Sequence, residues 1–193
     1  MEKNSQDRRV VRTQKAIVEA FNGLVLTRNY EDIKINDIAA LANVGRSTFY
    51  EHFKNKDDLL ARSISGLFSI LANSISKDQN TAEIEFLLKH FWENRRLGRA
   101  LLTGTARRGL VRFLARLIEE KIFEQEPKPN NQFRIPIKLL AVQLAEGNLA
   151  LISSWLTGEA PSDSNSLACA IKDSSQAYLE ALRIKTPKIT VPK

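Results

Sequence analysis

Hydrogen-bond donors crowd one short run of the chain, RSTFYEHFKNK at residues 46–56, which holds a single acid, Glu51. The guanidinium of Arg46 can donate two hydrogen bonds to a guanine edge, a contact that discriminates between bases. The hydroxyls of Ser47 and Thr48 can bond to base edges of several kinds. The run therefore predicts a contact with DNA in which these three side chains read bases.

Five further side chains are candidates for the phosphate backbone or its surroundings. Tyr50 and Lys56 carry a hydroxyl and an ammonium, groups that fix a protein on DNA without reading sequence. Thr13 and Lys34 lie near the ends of neighbouring predicted helices, from which they could reach phosphate. His52 has two open readings, a phosphate contact or a side chain that covers the helix surface. For the whole set, the alternative is a solvated face on a motif used for protein contacts.

The element that must position these donors is a helix-turn-helix over residues 36–56. Two short apolar-periodic segments flank the sequence Asn43-Val44-Gly45. Asn and Gly suit this turn, because both tolerate the left-handed backbone that a sharp reversal needs. The second helix of such a motif can enter the DNA major groove. The residues predicted to face inward and form a small core are Ile38, Leu41, Val44, Phe49 and Phe53.

The composition limits the class of protein. With 193 residues, of which 43% are hydrophobic, the chain can form one large domain or a small module and a larger one. A net charge of +7 favours an anionic partner. The single Cys169 excludes an intramolecular disulfide, and the first residues lack the apolar segment of a secretory signal. Because no run of roughly eighteen apolar residues occurs either, we expect a cytoplasmic protein without a membrane span.

Apolar residues recur at helical spacing along the chain, and no alternating strand pattern is found. The sequence therefore predicts an all-α fold of about nine helices, with a boundary between residues 1–55 and residues 56–193. The first part is a three-helix module that contains the helix-turn-helix, with its first helix beginning near Arg9. In the second part, the helix from Arg134 to Trp155 is apolar on nearly every face, which predicts that other helices surround it.

The stretch from about Arg12 to Leu60 resembles the TetR/AcrR family of transcriptional regulators. The resemblance is specific, because it depends on many positions at fixed spacing in an all-helical chain. Two departures stand out: Lys34 occupies a position where the family often has a capping Thr or Ser, and Asn43 one where it usually has Gly. The residues that carry the resemblance are Arg12-Thr13, Ile17, Ala20, Phe21, Asn29-Tyr30, Asp37-Ile38-Ala39, Ala42, Val44, Ser47-Thr48-Phe49-Tyr50, Phe53, Lys56 and Leu59-Leu60.

The resemblance implies a homodimer in which each third helix reads one half of a palindromic DNA operator. It also implies that the last two long helices pair with those of the second copy, and that residues 56–193 hold a small ligand that releases the operator. On this basis we expect a ligand-responsive repressor. The alternative is a helical protein-interaction adaptor whose helix-turn-helix no longer reads DNA, which Lys34 and Glu51 near that face leave open.

Aromatic and polar residues in the second part of the chain are candidates for an apolar ligand pocket, although aromatics at core spacing are more often plain core. The stretch from Arg95 to Arg116 holds seven arginines and no acid. It could be a second nucleic-acid surface, a site for an acidic ligand, or a solvated basic face. The ligand-binding candidates are Phe91, Trp92, Phe113, Glu146 and Trp155.

Catalytic patterns are missing from the sequence. Two histidines and one cysteine, far apart, give no metal-ligand spacing. No nucleophile elbow and no glycine-rich phosphate loop occurs. We therefore expect no enzymatic activity, no metal and no cofactor.

Overall fold

The computed structural model describes residues 2–125 and 132–184, with side chains from Arg8 onward in the first of these segments. Nine α-helices lie within these residues, which confirms the predicted all-α fold. Short 3-10 turns connect α1 to α2 and α4 to α5. The helices are α1 (Glu2–Val25), α2 (Ile35–Leu41), α3 (Arg46–His52), α4 (Lys56–Ala72), α5 (Thr81–Glu93), α6 (Arg95–Thr103), α7 (Arg107–Gln125), α8 (Ile137–Thr157) and α9 (Ser164–Ala181).

A small head is formed by α1, α2, α3 and the first turns of α4. Its core contains Ile17, Ile38 and Phe49, all fully buried, and the sequence predicts the last two. The sequence also predicts Leu41 in this core, but the residue is 59% exposed. It lies over Gly23 of α1, which has no side chain to cover it.

The first helix begins earlier than the sequence predicts. The sequence predicts a start near Arg9, because residues 1–8 are polar and the first residues at helical apolar spacing, beginning with Ile17, come well after them. In the structure α1 begins at Glu2, so its first turns are helical without any apolar face to bury. Residues 2–9 include no apolar side chain, so the apolar periodicity on which the prediction depends could not indicate these turns.

Local capping fixes the ends of several helices. Asn55 begins α4 by accepting a hydrogen bond from the backbone N–H of Asp58 at 2.8 Å. Asp163 does the same at the start of α9, through the N–H of Ser166. At the end of α8 the backbone turns left-handed at Gly158, with φ of 84°.

One face of α8 is open, contrary to the prediction that helices surround it. Leu140 and Ile152 are fully buried against α7 and α9, whereas Leu139 and Leu151 are 59% and 40% exposed. By length and composition α8 passes as a candidate membrane span, but half of its apolar window is buried inside the bundle. That burial is the pattern of a core helix.

The rest of the molecule, formed by the remainder of α4 and by α5 to α9, is called the body. Head and body share one buried cluster of side chains, which includes residues from Ile17 to Leu179. The connection is α4, whose Leu59 and Leu60 lie among the head residues and whose Phe68 and Leu71 lie farther along the same helix. The head core therefore continues past the predicted boundary after residue 55, and that boundary stays a prediction.

Candidate nucleic-acid interface

The donors of α3 lie on its outer side because Phe49 anchors the other side. Phe49 is fully buried, and its ring meets that of Tyr50 edge to face at 5.6 Å. Arg46 and Ser47 are exposed, and Thr48 is half-buried. The guanidinium carbon of Arg46 lies 5.6 Å from the centre of the Tyr50 ring, so the two side chains share one end of the helix face.

The turn before α3 uses a single left-handed residue. Asn43 has φ of 53°, within the region that Asn tolerates better than most residues. Gly45, which tolerates that conformation equally well, is extended instead, with φ of −68° and ψ of 152°. It serves as the residue before the first turn of α3. The reversal therefore depends on Asn43.

Lys56 faces the protein rather than the α3 surface. Its Nζ donates hydrogen bonds to the backbone carbonyls of Tyr30 and Ile33, the latter at 2.9 Å, and lies 3.4 Å from the Glu31 carbonyl. It also lies 4.3 Å from the centre of the Tyr30 ring. Partial burial lowers the pKa of this ammonium, while the nearby carboxylate of Asp57 opposes that shift. The predicted phosphate role must therefore compete with these contacts.

A second contact holds the same loop to α4. The hydroxyl of Tyr30 donates a hydrogen bond to the carboxylate of Asp57, and the Tyr30 ring meets Phe21 edge to face at 6.1 Å. Burial, followed by the hydrogen bond to Asp57, raises the pKa of Tyr30 well above its usual value. Apart from the family resemblance at Tyr30, no sequence pattern predicts this contact.

Lys34 stands at the start of α2, where its ammonium is exposed. As the sequence predicts, its side chain does not cap the helix; instead the carboxylate of Asp37 accepts a hydrogen bond from the Lys34 backbone N–H at 3.1 Å. Asp37 also pairs with Arg28 at 3.4 Å. Thr13 on α1 and His52 at the end of α3 are both half-buried. The predicted donors thus come from α1, α2, α3 and α4.

The predicted ligand residues do not converge on one cavity. Trp92 and Trp155 are in contact, with ring centres 4.9 Å apart, beside a recess of about 270 Å³. Phe91 is buried near Gly98 of α6. Phe113 stacks on Phe68 instead, and Glu146 is 50% exposed and paired with Arg107 at 2.6 Å. The last two side chains therefore lie outside the tryptophan recess.

The arginine-rich stretch is divided among several local contacts. Arg99 donates to the carbonyl of Leu156 at the end of α8, Arg116 pairs with Glu120, and Arg95 lies over the Trp92 ring. Arg108 and Arg112 are exposed. Contacts of this kind favour the reading of a basic surface with structural roles over a single anion site.

The open side of α8 and α9 forms an apolar groove of about 650 Å³. Every residue lining it is uncharged, although 26% of the chain is charged. Its floor includes Asn148 and Ser175, which hydrogen-bond to each other at 3.3 Å, and Ser74 donates to Ser175 at 3.1 Å. The other members include Gly147, Ala150, Leu151, Ser154, Trp155 and Tyr178.

Known proteins similar to this chain are regulators. Residues 17–62 match the family model described as bacterial regulatory proteins, tetR family. An uncharacterized HTH-type transcriptional regulator of Bacillus subtilis, YxbF, is 46% identical over 65 residues, 33% of this chain and 17% of that protein. DhaS of Lactococcus lactis, the HTH-type dhaKLM operon transcriptional activator, is 36% identical over 85 residues, 42% of this chain and 44% of its own length. The chain thus matches less than half the length of either relative.

Solved structures resemble the chain over most of its length. A TetR transcriptional regulator from Streptococcus agalactiae 2603V has a TM-score of 0.59 and 26% identity, covering 90% of this chain and 98% of its own. A TetR-family regulator from Streptomyces coelicolor has a TM-score of 0.58 at 16% identity, covering 88% and 96%. The second likeness shows the fold alone.

An all-helical chain that carries a helix-turn-helix with an exposed, donor-rich second helix has the arrangement of the helix-turn-helix class of DNA-binding proteins. Residues 17–62 belong to the tetR family of bacterial regulatory proteins, and the chain has the overall fold of a solved TetR transcriptional regulator.

Proposed function

We propose that this regulator is a homodimeric, cytoplasmic repressor that binds a palindromic DNA operator and leaves it when a small molecule binds. The observation that carries the proposal is the outer surface of α3, where Arg46 and Ser47 are exposed beside Tyr50 while Phe49 fixes the helix from within. A donor-rich helix held in this way suits insertion into the major groove.

Within this proposal the contacts divide by chemistry. Arg46, Ser47 and Thr48 read bases, and Tyr50 fixes the register on phosphate. Thr13, Lys34 and His52 add phosphate contacts from the flanks. We assign Lys56 to the positioning of the head rather than to phosphate, because its ammonium already serves the carbonyls of the loop before α2.

The proposed dimer joins the α8 and α9 faces of two copies. The groove between these helices carries no charged side chain, and depletion of charge is typical of the buried centre of a protein interface. Exposed Leu151 and the small residues Gly147 and Ala150 would allow two such faces to approach closely. Two heads would then face two operator half-sites.

Repression is the simplest consequence of operator binding, because occupancy alone blocks access to the DNA. The relative DhaS is named an activator, so the direction of regulation needs its own measurement. A reporter gene behind the selected operator should be silenced by the protein in cells and restored by the effector. Protein-dependent stimulation of the reporter would reverse the assigned sign.

The effector is proposed to bind within residues 56–193. Trp92 and Trp155 line the recess of about 270 Å³ there, together with Lys89, Glu93 and Ser162. This volume is below the roughly 300–1,000 Å³ of drug-sized sites, which points to a small molecule. A thermal-shift screen of metabolites tests the assignment, because a ligand of the folded state raises the melting temperature. Loss of the shift in Trp92→Ala, but not in Phe86→Ala, would support it.

The DNA proposal is tested by selecting duplexes from a random pool with the full chain. Selected sites should be palindromic, and affinity should fall about 10³–10⁵-fold between 50 and 200 mM salt if roughly 6–10 phosphates are contacted. Arg46→Ala should relax base preference at one position per half-site by about 1–3 kcal/mol. Arg116→Ala, on the exposed surface of α7, is the matched control and should bind as the wild type. Failure to select any duplex would favour the adaptor alternative.

A further inference from the structure

The amino-terminal half of α1 has no place in the head core. Among residues 8–16 none is buried, and the first buried residue of the helix is Ile17. The segment RRVVRTQKA carries Arg8, Arg9, Arg12 and Lys15 and no acid. It is therefore a basic helical extension that contributes no buried residue to the fold.

The extension points away from the body of the molecule. At the opposite end of α1, Val25 and Arg28 line a cleft with Ala100 and Thr103 of α6, so the carboxyl end of α1 adjoins the body. Residues 8–16 rise about 13 Å along a helix, at 1.5 Å per residue. The basic segment therefore lies at the end of α1 that is far from α6.

The same helix packs against the DNA-reading motif. α1 contacts α2, and Ile17 belongs to the cluster that contains Ile38 and Phe49. Arg9 and Thr13 continue the line of Ile17 at intervals of four residues, which places them above the same helix face. The basic segment is thus continuous with the proposed DNA-binding surface.

We propose that residues 8–16 form a second DNA-binding element, which contacts phosphates in the DNA that flanks each operator half-site. Arg9 and Arg12 are its main contacts; within the side chains that the structure describes, neither has an ion pair. Lys15 pairs with Glu19 at 3.8 Å, but both are exposed and such a pair contributes little. The inference rests on the proposed function, since it assumes that α3 binds an operator.

The flanking position gives the proposal its test. The full-length wild type is compared on two duplexes that contain the selected operator, one ending at the half-sites and one extended on both sides by DNA of arbitrary sequence. We expect the longer duplex to bind about 10-fold more tightly or better, and Arg9→Ala/Arg12→Ala to lose that advantage. The slope of log affinity against log salt on the longer duplex should fall by about 1 for each arginine contact removed.

A matched control separates position from charge. Arg108→Ala/Arg112→Ala removes the same charge from the exposed surface of α7 and should keep the full length advantage. Equal loss in both double variants, or no loss in Arg9→Ala/Arg12→Ala, would overturn the flanking contact while leaving the operator intact. A wild type that selects no duplex would overturn the proposed function as well. Because all four arginines are exposed, unchanged melting curves verify that each variant folds.

Discussion

The ammonium of Lys56 shows how a residue can carry a family motif without serving the surface that the motif suggests. It lies between the first turn of α4 and the loop that precedes α2, within hydrogen-bonding reach of the Tyr30 and Ile33 carbonyls. The Tyr30 carbonyl also accepts the backbone N–H of Ile33 at 3.3 Å, so Lys56 is its second donor, whereas the Ile33 carbonyl lies outside the helices and is paired by Lys56. A buried or partly buried carbonyl left without a donor destabilises the fold.

Replacement of Lys56 by Ala should therefore lower the free energy of unfolding. Loss of a charged donor to two carbonyls and of its contact with the Tyr30 ring should cost about 1–3 kcal/mol. Urea unfolding followed by circular dichroism measures the difference. Lys77→Ala, an exposed cation in the body, should change the stability by less than about 0.5 kcal/mol. Equal stability of both variants would mean that Lys56 remains available for phosphate.

At the scale of elements, the turn between α2 and α3 sets the angle at which the donors leave the head. The sequence predicts that turn and its residue types, because Asn and Gly mark a reversal. It could not assign which residue turns left-handed, since both residues tolerate that backbone. Which residue turns left-handed depends on how the buried side chains of Ile38 and Phe49 orient α2 and α3 in the head.

Substitutions at Asn43 test this element. Asn43→Ala should cost about 1–2 kcal/mol, because a Cβ without a compensating polar group is strained at φ of 53°. Asn43→Gly should be neutral or stabilising, as Gly adopts this backbone without strain. Thermal melts of the two variants measure the difference. Gly45→Ser is the control, since its extended backbone suits any residue and Ser is favoured at the N-cap position that Gly45 occupies; a larger loss there than in Asn43→Ala would contradict the assignment.

The start of α4 makes stability depend on pH. Burial pushes the pKa of Asp58 up, but hydrogen bonds from the Lys54 N–H and from Arg62 outweigh it, so the pKa is lowered. A carboxylate with a lowered folded pKa stabilises the fold above its unfolded pKa of about 3.9 and loses that contribution as pH falls through the folded value. Asp58→Ala should be about 1 kcal/mol less stable at pH 7, because it loses a carboxylate in the first turn of α4 and its hydrogen bond from the Lys54 N–H.

The same comparison at low pH completes that prediction. The wild type and Asp58→Ala should converge in stability once the pH has fallen through the lowered folded pKa of Asp58, where the carboxyl is protonated in both states. Asp78→Ala, in the exposed loop before α5, should follow the wild type at every pH. A gap between wild type and Asp58→Ala that stayed constant from pH 7 to pH 2 would show that the carboxylate charge does not stabilise α4.

At the scale of the whole molecule, local signals and long-range packing contribute differently to what the sequence predicts. Capping at Asn55 and termination at Gly158 could be predicted, because each depends on a few neighbouring residues. The exposed face of α8 could not, since its apolar residues look the same whether another helix or a second copy covers them. The ligand candidates do not meet at one cavity for the same reason, because packing between helices decides where each side chain lies. Phe113 stacks on Phe68 of α4, whereas Trp92 contacts Trp155 of α8.

The open face of α8 also gives the sharpest test of the quaternary structure. Leu151 is 40% exposed in a groove without charged residues, and a second copy would bury it. Leu151→Glu should shift the mass measured by light scattering from two chains to one, because an unpaired charge buried in an apolar interface costs several kcal/mol. Operator affinity should fall with it, as two linked heads are needed for two half-sites.

Phe86→Glu is the matched control for that substitution. Phe86 is 63% exposed on α5 and does not line the groove, so this variant should keep the dimer mass and the operator affinity. Circular dichroism should show the same helix content in both variants, since neither side chain belongs to the core. A Leu151→Glu protein that remains dimeric would contradict the proposed interface and place it on a face other than the α8 and α9 groove.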